Sequence, residues 1–285
     1  MSNNINWGKI YESTAWGSGV TDNNISWGKS YADLAGGGFD ADYQAVLDYA
    51  ATQGYTAPSE SQQTLQNTLV TDLKTAGVWD KLDLFYCFAT DGDSDYATLN
   101  WKAPSSFQTT KVNSPTFTAN EGFNGGNLNY LDTNWSVAND SVNFTETNAS
   151  MGFWTTGAPL ENSYLMGVRV GFNDSMSVIA SYPTGFRLNC DAANVQDITT
   201  SNFVLFNRNG ATTGSAILDG VTTDNLTGLV SDTLADLSMY ICATNNNGTL
   251  FSSNFMKNSI VWAGADLTSE GSDMYDALNT YISAL

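Results

Sequence analysis

The spacing of hydrophobic residues changes along the chain, and each change marks a different kind of element. Between residues 40 and 80, apolar positions recur every third or fourth residue, so that Leu65, Leu69 and Leu73 share one face of a helix. Residues that start and stop helices bracket two such runs: Asp40, Gly54, Ser59 and Gly77. The pattern predicts two helices joined by a short loop, an αα-hairpin.

From residue 81 onward, short aromatic or β-branched runs alternate with turns rich in Asn, Gly and Asp. The runs follow one another roughly every ten residues without helices between them, which is typical of an antiparallel sandwich or jelly roll. The segments FNRNGATTG and ATNNNGTLF each place Asn-Gly between two such runs and predict hairpins. Near the end, Met274, Leu278 and Ile282 return to helical spacing and predict a closing helix.

The first 38 residues contain a short sequence repeat, NNINWGKIY at residues 3–11 and NNISWGKSY at residues 23–31. In both copies, every second residue belongs to a largely apolar set that includes Ile5, Trp7 and Tyr11, and this alternation predicts a strand with one apolar face. A two-stranded hairpin is marginal in water, so these strands need a further surface. The residues expected to anchor them are Ile5, Trp7, Tyr11, Trp16, Ile25, Trp27 and Tyr31. Three surfaces remain open: that of another protein, which would make this segment an anchor arm, that of sister subunits, and that of the chain's own body.

Charge and residue usage narrow the classes of protein. With 29 acidic and 10 basic residues the net charge is −19, which argues against binding to nucleic acid or to anionic membranes. The absence of His removes the commonest general base and the commonest transition-metal ligand. The three cysteines, Cys87, Cys190 and Cys242, lie beside apolar or strand-like sequence and predict buried free thiols.

The surface and the N-terminus point to a particular setting. Only 14% of residues are charged, about half the usual share, so Asn, Thr, Ser and Gly must supply most of the polar surface. The first residues, MSNNINWG, lack the basic and apolar regions of a secretory signal, and no run of 18 apolar residues occurs. We expect such a surface, without an export signal, on a virus particle that assembles inside a cell and is released whole.

Three stretches resemble a module that recurs in bacteriophage virion proteins. They are LVTDLKTAGVWDKLDLFYCFA (residues 69–89), FTANEGFNGGNLNYLDTNW (residues 117–135) and VWAGADLTSEGSDMYDALNTYISAL (residues 261–285). In that module a helical preamble leads into a concanavalin A-like, laminin G-like jelly roll. The doubled arm resembles N-terminal attachment segments of phage tail, neck or head-fibre proteins. The resemblance implies a structural or host-recognition role on the exterior of the virion.

The expected fold is mainly β: an antiparallel jelly-roll β-sandwich of concanavalin A-like type, preceded by an αα-hairpin and an N-terminal β anchor arm. We divide the chain into residues 1–38 for the arm, 39–80 for a helical hairpin or collar, and 81–285 for the sandwich with its closing helix. A homotrimer held by residues 1–80 would bury Leu65, Leu69 and Leu73 between neighbouring helices. Alternatively, the hairpin packs that stripe onto its own sandwich.

Candidate ligand sites are few. The turn TDGDSDY places Asp91, Asp93 and Asp95 at alternate positions, where three carboxylates can converge on Ca²⁺. Tyr96 and Lys102 stand where an EF-hand loop has its Gly and its bidentate Glu, so a solvated acidic turn is the alternative. No other cofactor is expected.

Sugar binding needs an exposed aromatic side chain with Asn or Asp nearby, and Trp135 and Trp154 are the candidates; the alternative places both in the core. No E-x-D-x-x-E strand for glycan hydrolysis occurs, and the absence of His excludes a Ser or Cys triad. We therefore expect a non-enzymatic virion structural protein, bound through its arm to other virion proteins, that displays a lectin-like domain outward to host-surface glycans. The alternative is a secreted glycan-active enzyme or a free lectin with a laminarinase-like sandwich.

Overall fold

The computed structural model describes residues 38–126, 128–156, 163–170, 175–180, 185–188, 193–194, 201–231, 233–253 and 256–285. Outside the described residues lie Cys190 and the seven expected anchoring residues, Ile5, Trp7, Tyr11, Trp16, Ile25, Trp27 and Tyr31. The anchor arm therefore stays a prediction.

Four α-helices lie in the described ranges: α1 Ala41–Gln53, α2 Glu60–Thr75, α3 Val137–Asp140 and α4 Gly271–Ser283. The side chain of Asp40 accepts a hydrogen bond from the N–H of Asp42 and begins α1. Gly54 ends α1 in the left-handed conformation, with φ 75°. Ser59 begins α2 by accepting a hydrogen bond from the N–H of Gln62. The predicted αα-hairpin and the predicted closing helix are confirmed.

Strands make up most of the remaining described chain. They are β1 Leu82–Cys87, β2 Thr110–Val112, β3 Thr116–Thr118, β4 Gly122–Asn124, β5 Tyr130–Ser136, β6 Ala149–Thr156, β7 Ser163–Arg169, β8 Ser175–Ala180, β9 Gly185–Leu188, β10 Ala193–Asn194, β11 Phe203–Arg208, β12 Thr213–Leu218, β13 Val221–Thr227, β14 Ser238–Ile241, β15 Ala243–Asn246, β16 Thr249–Ser253 and β17 Lys257–Gly264.

These strands form two sheets. The first sheet has the order β13-β12-β11-β6-β17-β4-β3, with β1 also paired to β17, and every described pair in it is antiparallel. The second sheet has the order β10-β9-β8-β7-β14-β5-β2, and the hairpin β15–β16 joins it through a parallel pairing of β15 with β7. The two predicted hairpins are β11–β12 and β15–β16, and Asn247 and Gly248 take positive φ values of 51° and 82° in the second.

The inner faces of the two sheets enclose one apolar core. Phe153, Val204 and Val261 of the first sheet and Leu131 and Trp135 of the second are fully buried in it. The predicted β-sandwich is confirmed. The prediction of buried free thiols is also confirmed for the two described cysteines, Cys87 and Cys242.

A second core lies on the outer face of the first sheet, beneath α1, α2 and α4; we call this side of the sandwich the helical face. Leu69 and Leu73 of α2 and Leu278 of α4 pack there with Phe85 and Trp262 of the sheet. Leu65 packs against the same core while partly exposed. The stripe expected to form an intersubunit collar is thus covered by the chain's own sandwich, which corrects the collar interpretation and favours its alternative.

A buried hydrogen-bond network fixes the helices to this face. Gln66 of α2 is fully buried, and its Oε1 accepts from the hydroxyls of Tyr43 (2.9 Å) and Tyr96 (2.8 Å). Its Nε2 donates to Thr90 Oγ1 (3.2 Å) and to the hydroxyl oxygen of Tyr281 (3.1 Å). Burial raises the pKa of all three tyrosines, so their hydroxyls keep the protons that they donate.

None of the helices in the described ranges is long and apolar enough to span a membrane.

Candidate functional site

The outer face of the second sheet differs from the helical face. Along β5, the side chains of Leu131 and Trp135 point into the core and are fully buried. The residues between and beside them are at least partly exposed: Tyr130, Asp132, Asn134 and Ser136. Because side chains alternate along a strand, these residues share the outer face of the sheet.

Tyr240 of β14 joins them. Its neighbours Met239 and Ile241 belong to the core, and Tyr240 itself pairs in register with Asp132. Its ring stacks on that of Tyr130, with centroids 4.3 Å apart and an interplanar angle of 28°. We call Tyr130, Asp132, Asn134 and Tyr240 the tyrosine face.

The two tyrosines have different exposures. Tyr240 is only 6% exposed, whereas Tyr130 remains partly exposed and carries the surface of the stack. Burial raises the pKa of Tyr240, and the hydroxyl of Tyr130 and the nearby charge of Asp132 raise it further. The surface of the site is therefore the ring of Tyr130, which offers an apolar face and a hydroxyl group at one place.

Asp132 and Asn134 supply fixed polar groups beside the stack. The backbone N–H of Asn134 donates to Asp132 Oδ1 at 2.9 Å. The Asn134 amide donates to the carbonyl of Gln108 (2.8 Å) and to Thr110 Oγ1 (3.0 Å). Among the residues that the structure describes, Asp132 Oδ2 has no hydrogen-bond partner. This carboxylate oxygen can accept a hydrogen bond from a ligand.

A bulge in β5 positions this group. The register between β5 and β14 shifts between the pairs Ser136–Ser238 and Asp132–Tyr240. Within that shift Asn134 has a φ of 56°, a left-handed conformation that Asn tolerates better than most residues. Bulges re-aim side chains and are frequent at binding sites.

The cations on strands near the tyrosine face are held by other residues. Lys111 of β2 forms an ion pair with Asp95 at 2.6 Å. Arg169 of β7 donates to Asn246 Oδ1 at 2.9 Å and lies 4.2 Å from the ring centre of Phe251. The tyrosine face is therefore a neutral and acidic surface.

The two tryptophans expected to bind sugar lie elsewhere. Trp135 is fully buried between the sheets and packs edge-to-face on Phe144. Trp154 is 5% exposed and stacks on Tyr275 of α4 at 5.6 Å, beneath the helical face. The expectation that either indole is an exposed platform is corrected, because both are core aromatics.

The three aspartates expected to bind Ca²⁺ bond to other parts of the chain instead. Asp91 Oδ1 accepts from the N–H of Ser59 at 3.0 Å, and Asp93 Oδ2 accepts from the N–H of Thr56 at 2.6 Å. Asp95 pairs with Lys111. The turn thus fastens the loop between α1 and α2, and no group of three or more metal-ligating side chains occurs within the described ranges. The structure favours the alternative of an acidic turn.

Burial alone would raise the pKa of Asp93, but hydrogen bonds from the N–H groups of Tyr96, Thr56 and Asp95 outweigh it and lower the pKa below its usual value. Asp93 is therefore expected to remain ionised, and to hold this turn, throughout the neutral pH range.

Sequence reasoning missed the tyrosine face although part of its signal was present. Leu131, Thr133 and Trp135 occupy every second position, so Tyr130, Asp132 and Asn134 had to face the opposite way. Tyr240 could not be found in this manner. Its place beside Tyr130 depends on the pairing of β14 with β5, which lie a hundred residues apart in the sequence.

No protein-family model and no curated protein matches the sequence. Several solved structures are similar in fold. One is domain 4 of AbnA, a GH43 extracellular arabinanase from Geobacillus stearothermophilus, in complex with arabinotriose. The match spans 68% of this chain and 98% of the arabinanase domain, with 11% identity and a TM-score of 0.42. A second is a mutant of Trypanosoma rangeli sialidase displaying trans-sialidase activity. That match spans 77% of this chain and 39% of the sialidase, with 14% identity and a TM-score of 0.46. A third is the receptor binding domain of botulinum neurotoxin D. That match spans 70% of this chain and 53% of the neurotoxin chain, with 12% identity and a TM-score of 0.45. At these TM-scores the similarities assign neither a family nor an activity to the chain.

Proposed function

We propose that this chain is a non-enzymatic glycan-binding protein on the exterior of a bacteriophage virion. Its arm attaches it to other virion proteins, and its sandwich presents the tyrosine face to glycans of the host surface. The observation that carries the binding role is the stack of Tyr130 on Tyr240 beside Asp132, on the sheet that lies across the sandwich from the helical face.

This group of side chains has the chemistry that a sugar requires. A pyranose has one face of C–H groups, which packs on an aromatic ring, and a rim of hydroxyls, which needs hydrogen-bond partners. Tyrosine offers a large amphipathic surface with few rotatable bonds. A carboxylate such as Asp132 accepts charge-assisted hydrogen bonds, which are stronger than those of neutral acceptors.

The virion setting is supported by the sequence. The duplicated arm, the Gly-rich segment AGGGF at residues 35–39 and the resemblance to phage proteins all support it. We also propose a homo-oligomer, with a trimer as the simplest fibre-like arrangement. Because Leu69 and Leu73 are buried within one chain, its contacts would come from the arm rather than from the helices. Particles assembled with a chain that lacks residues 1–38 should not contain the protein, and normal incorporation would contradict the attachment role.

The binding role can be tested on a glycan array with the full-length chain. Tyr130→Ala should weaken binding at least about tenfold, since it removes the exposed ring of the site. Tyr49→Ala is the matched control, because Tyr49 is a partly exposed tyrosine on α1, on the other side of the sandwich. Equal loss in both variants, or none in Tyr130→Ala, would contradict the site. Release of reducing sugar from a bound glycan would favour the alternative of a glycan-active enzyme.

A further inference from the structure

We infer that the tyrosine face selects glycans that lack carboxylates and discriminates against sialic acids and uronic acids. This inference rests on the proposed glycan-binding function and names the substrate class of the same site. It follows from the charges within and around the tyrosine face.

The acceptor at the centre of the site determines which groups a ligand can place there. Asp132 Oδ1 already accepts from the N–H of Asn134, and within the described part of the chain Oδ2 is left for a ligand. An ionised carboxylate only accepts hydrogen bonds. The ligand must therefore bring donors, which the hydroxyls of a neutral sugar supply.

A ligand carboxylate at the same place would be repelled. Two like charges about 4 Å apart, at the effective dielectric constant of a protein surface, weaken binding by up to roughly a thousandfold. Salt and solvent screening reduce this figure, so we expect a discrimination of at least about tenfold at physiological ionic strength.

The nearby cations do not compensate for Asp132. Lys111 lies 2.6 Å from Asp95 Oδ1 and 2.9 Å from Ser94 Oγ. Arg169 donates to Asn246 and is covered by the ring of Phe251. Both cations are thus directed to partners other than Asp132. The net charge of −19 adds a longer-range repulsion of the same sign.

The test compares matched neutral and acidic glycans on the full-length protein, such as lactose against sialyllactose and glucose oligomers against uronate oligomers. The neutral member of each pair should bind at least about tenfold more tightly. Equal or tighter binding of the acidic member would overturn the inference while leaving glycan binding intact. Absence of binding to either class would overturn the proposed function itself.

Two variants that each remove one negative charge distinguish the effect of Asp132 on selectivity from the effect of the net charge. Asp132→Asn should weaken the binding of neutral glycans a few-fold and bring the ratio between neutral and acidic glycans close to one. Asp276→Asn removes the same charge from a groove between α2 and α4, lined also by Asp72 and Asp273, and should leave the ratio unchanged. If both variants change the ratio equally, the selectivity comes from the net charge and the assignment to Asp132 is overturned. Thermal unfolding of each variant verifies that it is folded.

Discussion

The two outer faces of the sandwich satisfy their polar groups in opposite ways. On the helical face, Gln66 is fully buried and bonds to Tyr43, Tyr96, Thr90 and Tyr281 within the chain. On the tyrosine face, Asp132 Oδ1 accepts a hydrogen bond from the N–H of Asn134, and no residue of the described ranges bonds to Oδ2 of this partly exposed side chain. A polar group that the fold fully satisfies contributes to stability, and one that the fold leaves unsatisfied at the surface is available to a ligand.

This difference means that substitutions on the helical face should reduce stability, whereas substitutions on the tyrosine face should reduce binding. Four substitutions test the comparison by their effect on the free energy of unfolding.

The largest expected effect is that of Gln66→Leu. Leu has a similar volume, so the change mainly removes hydrogen bonds and leaves the buried hydroxyls of Tyr43 and Tyr96 without an acceptor. At about 1–3 kcal/mol for each of the two orphaned hydroxyls, the free energy of unfolding should fall by about 2–6 kcal/mol in urea denaturation. In Gln44→Leu the lost amide donates to Asp48 on the exposed side of α1, so the free energy of unfolding should change by less than about 0.5 kcal/mol. Equal effects would mean that the buried network does not hold the helices in place.

A smaller loss is expected from Gly152→Ala in β6. A Cβ at this position would collide with the ring of Trp262 and the carbonyl of Val204. Overpacking of this kind costs about 1–3 kcal/mol. Gly38→Ala meets nothing within 4 Å and serves as the control in the same thermal-unfolding experiment. A neutral Gly152→Ala would show that the packing of Trp262 against β6 is loose.

Asp93→Asn should produce a loss that depends on pH. The folded-state pKa of Asp93 is lowered, so the ionised carboxylate stabilises the fold above its unfolded pKa of about 3.9, and this contribution is lost as the pH falls through the folded pKa. We expect the variant to be about 1 kcal/mol less stable at about pH 7, with the difference shrinking below about pH 4. Urea denaturation across that range measures it. A difference that stays constant with pH would contradict the role of the charge.

The smallest expected effect is that of Asp132→Asn. Asn keeps an oxygen that accepts from the N–H of Asn134, and the side chain is partly exposed. The free energy of unfolding should therefore change by less than about 0.5 kcal/mol at about pH 7. A loss as large as that of Gln66→Leu would show that the tyrosine face is needed for folding, and would remove the contrast between the two faces.

Local sequence signals predicted the elements but not their partners. Asp40 and Ser59 are visible helix starts, because a cap acts within three residues. The destination of the Leu69–Leu73 stripe was open, since its partners include α4, about two hundred residues later. The same limit applies to the acidic turn, whose carboxylates bind the backbone of the distant loop at Thr56 and Ser59.

The two tryptophans show where alternation is informative and where it is not. Trp135 lies four residues after Leu131 in a strand of alternating pattern, so both side chains are predicted to point to the same, inner face of the sheet. Trp154 lies in β6, where the residues from Ala149 to Thr155 are all buried, so alternation gives no information about its surroundings. Only the packing of α4 over the first sheet decides that Trp154 is covered.

Amide hydrogen exchange of the full-length chain, with and without its tightest-binding neutral glycan, distinguishes the two faces in one experiment. Bound ligand should slow exchange in residues 130–136 and 238–241, which carry the tyrosine face. Exchange in α1, α2 and α4 should stay unchanged, because the helical face is already satisfied within the chain. Slowed exchange confined to those helices, with none in β5 and β14, would contradict the division between a face for folding and a face for binding.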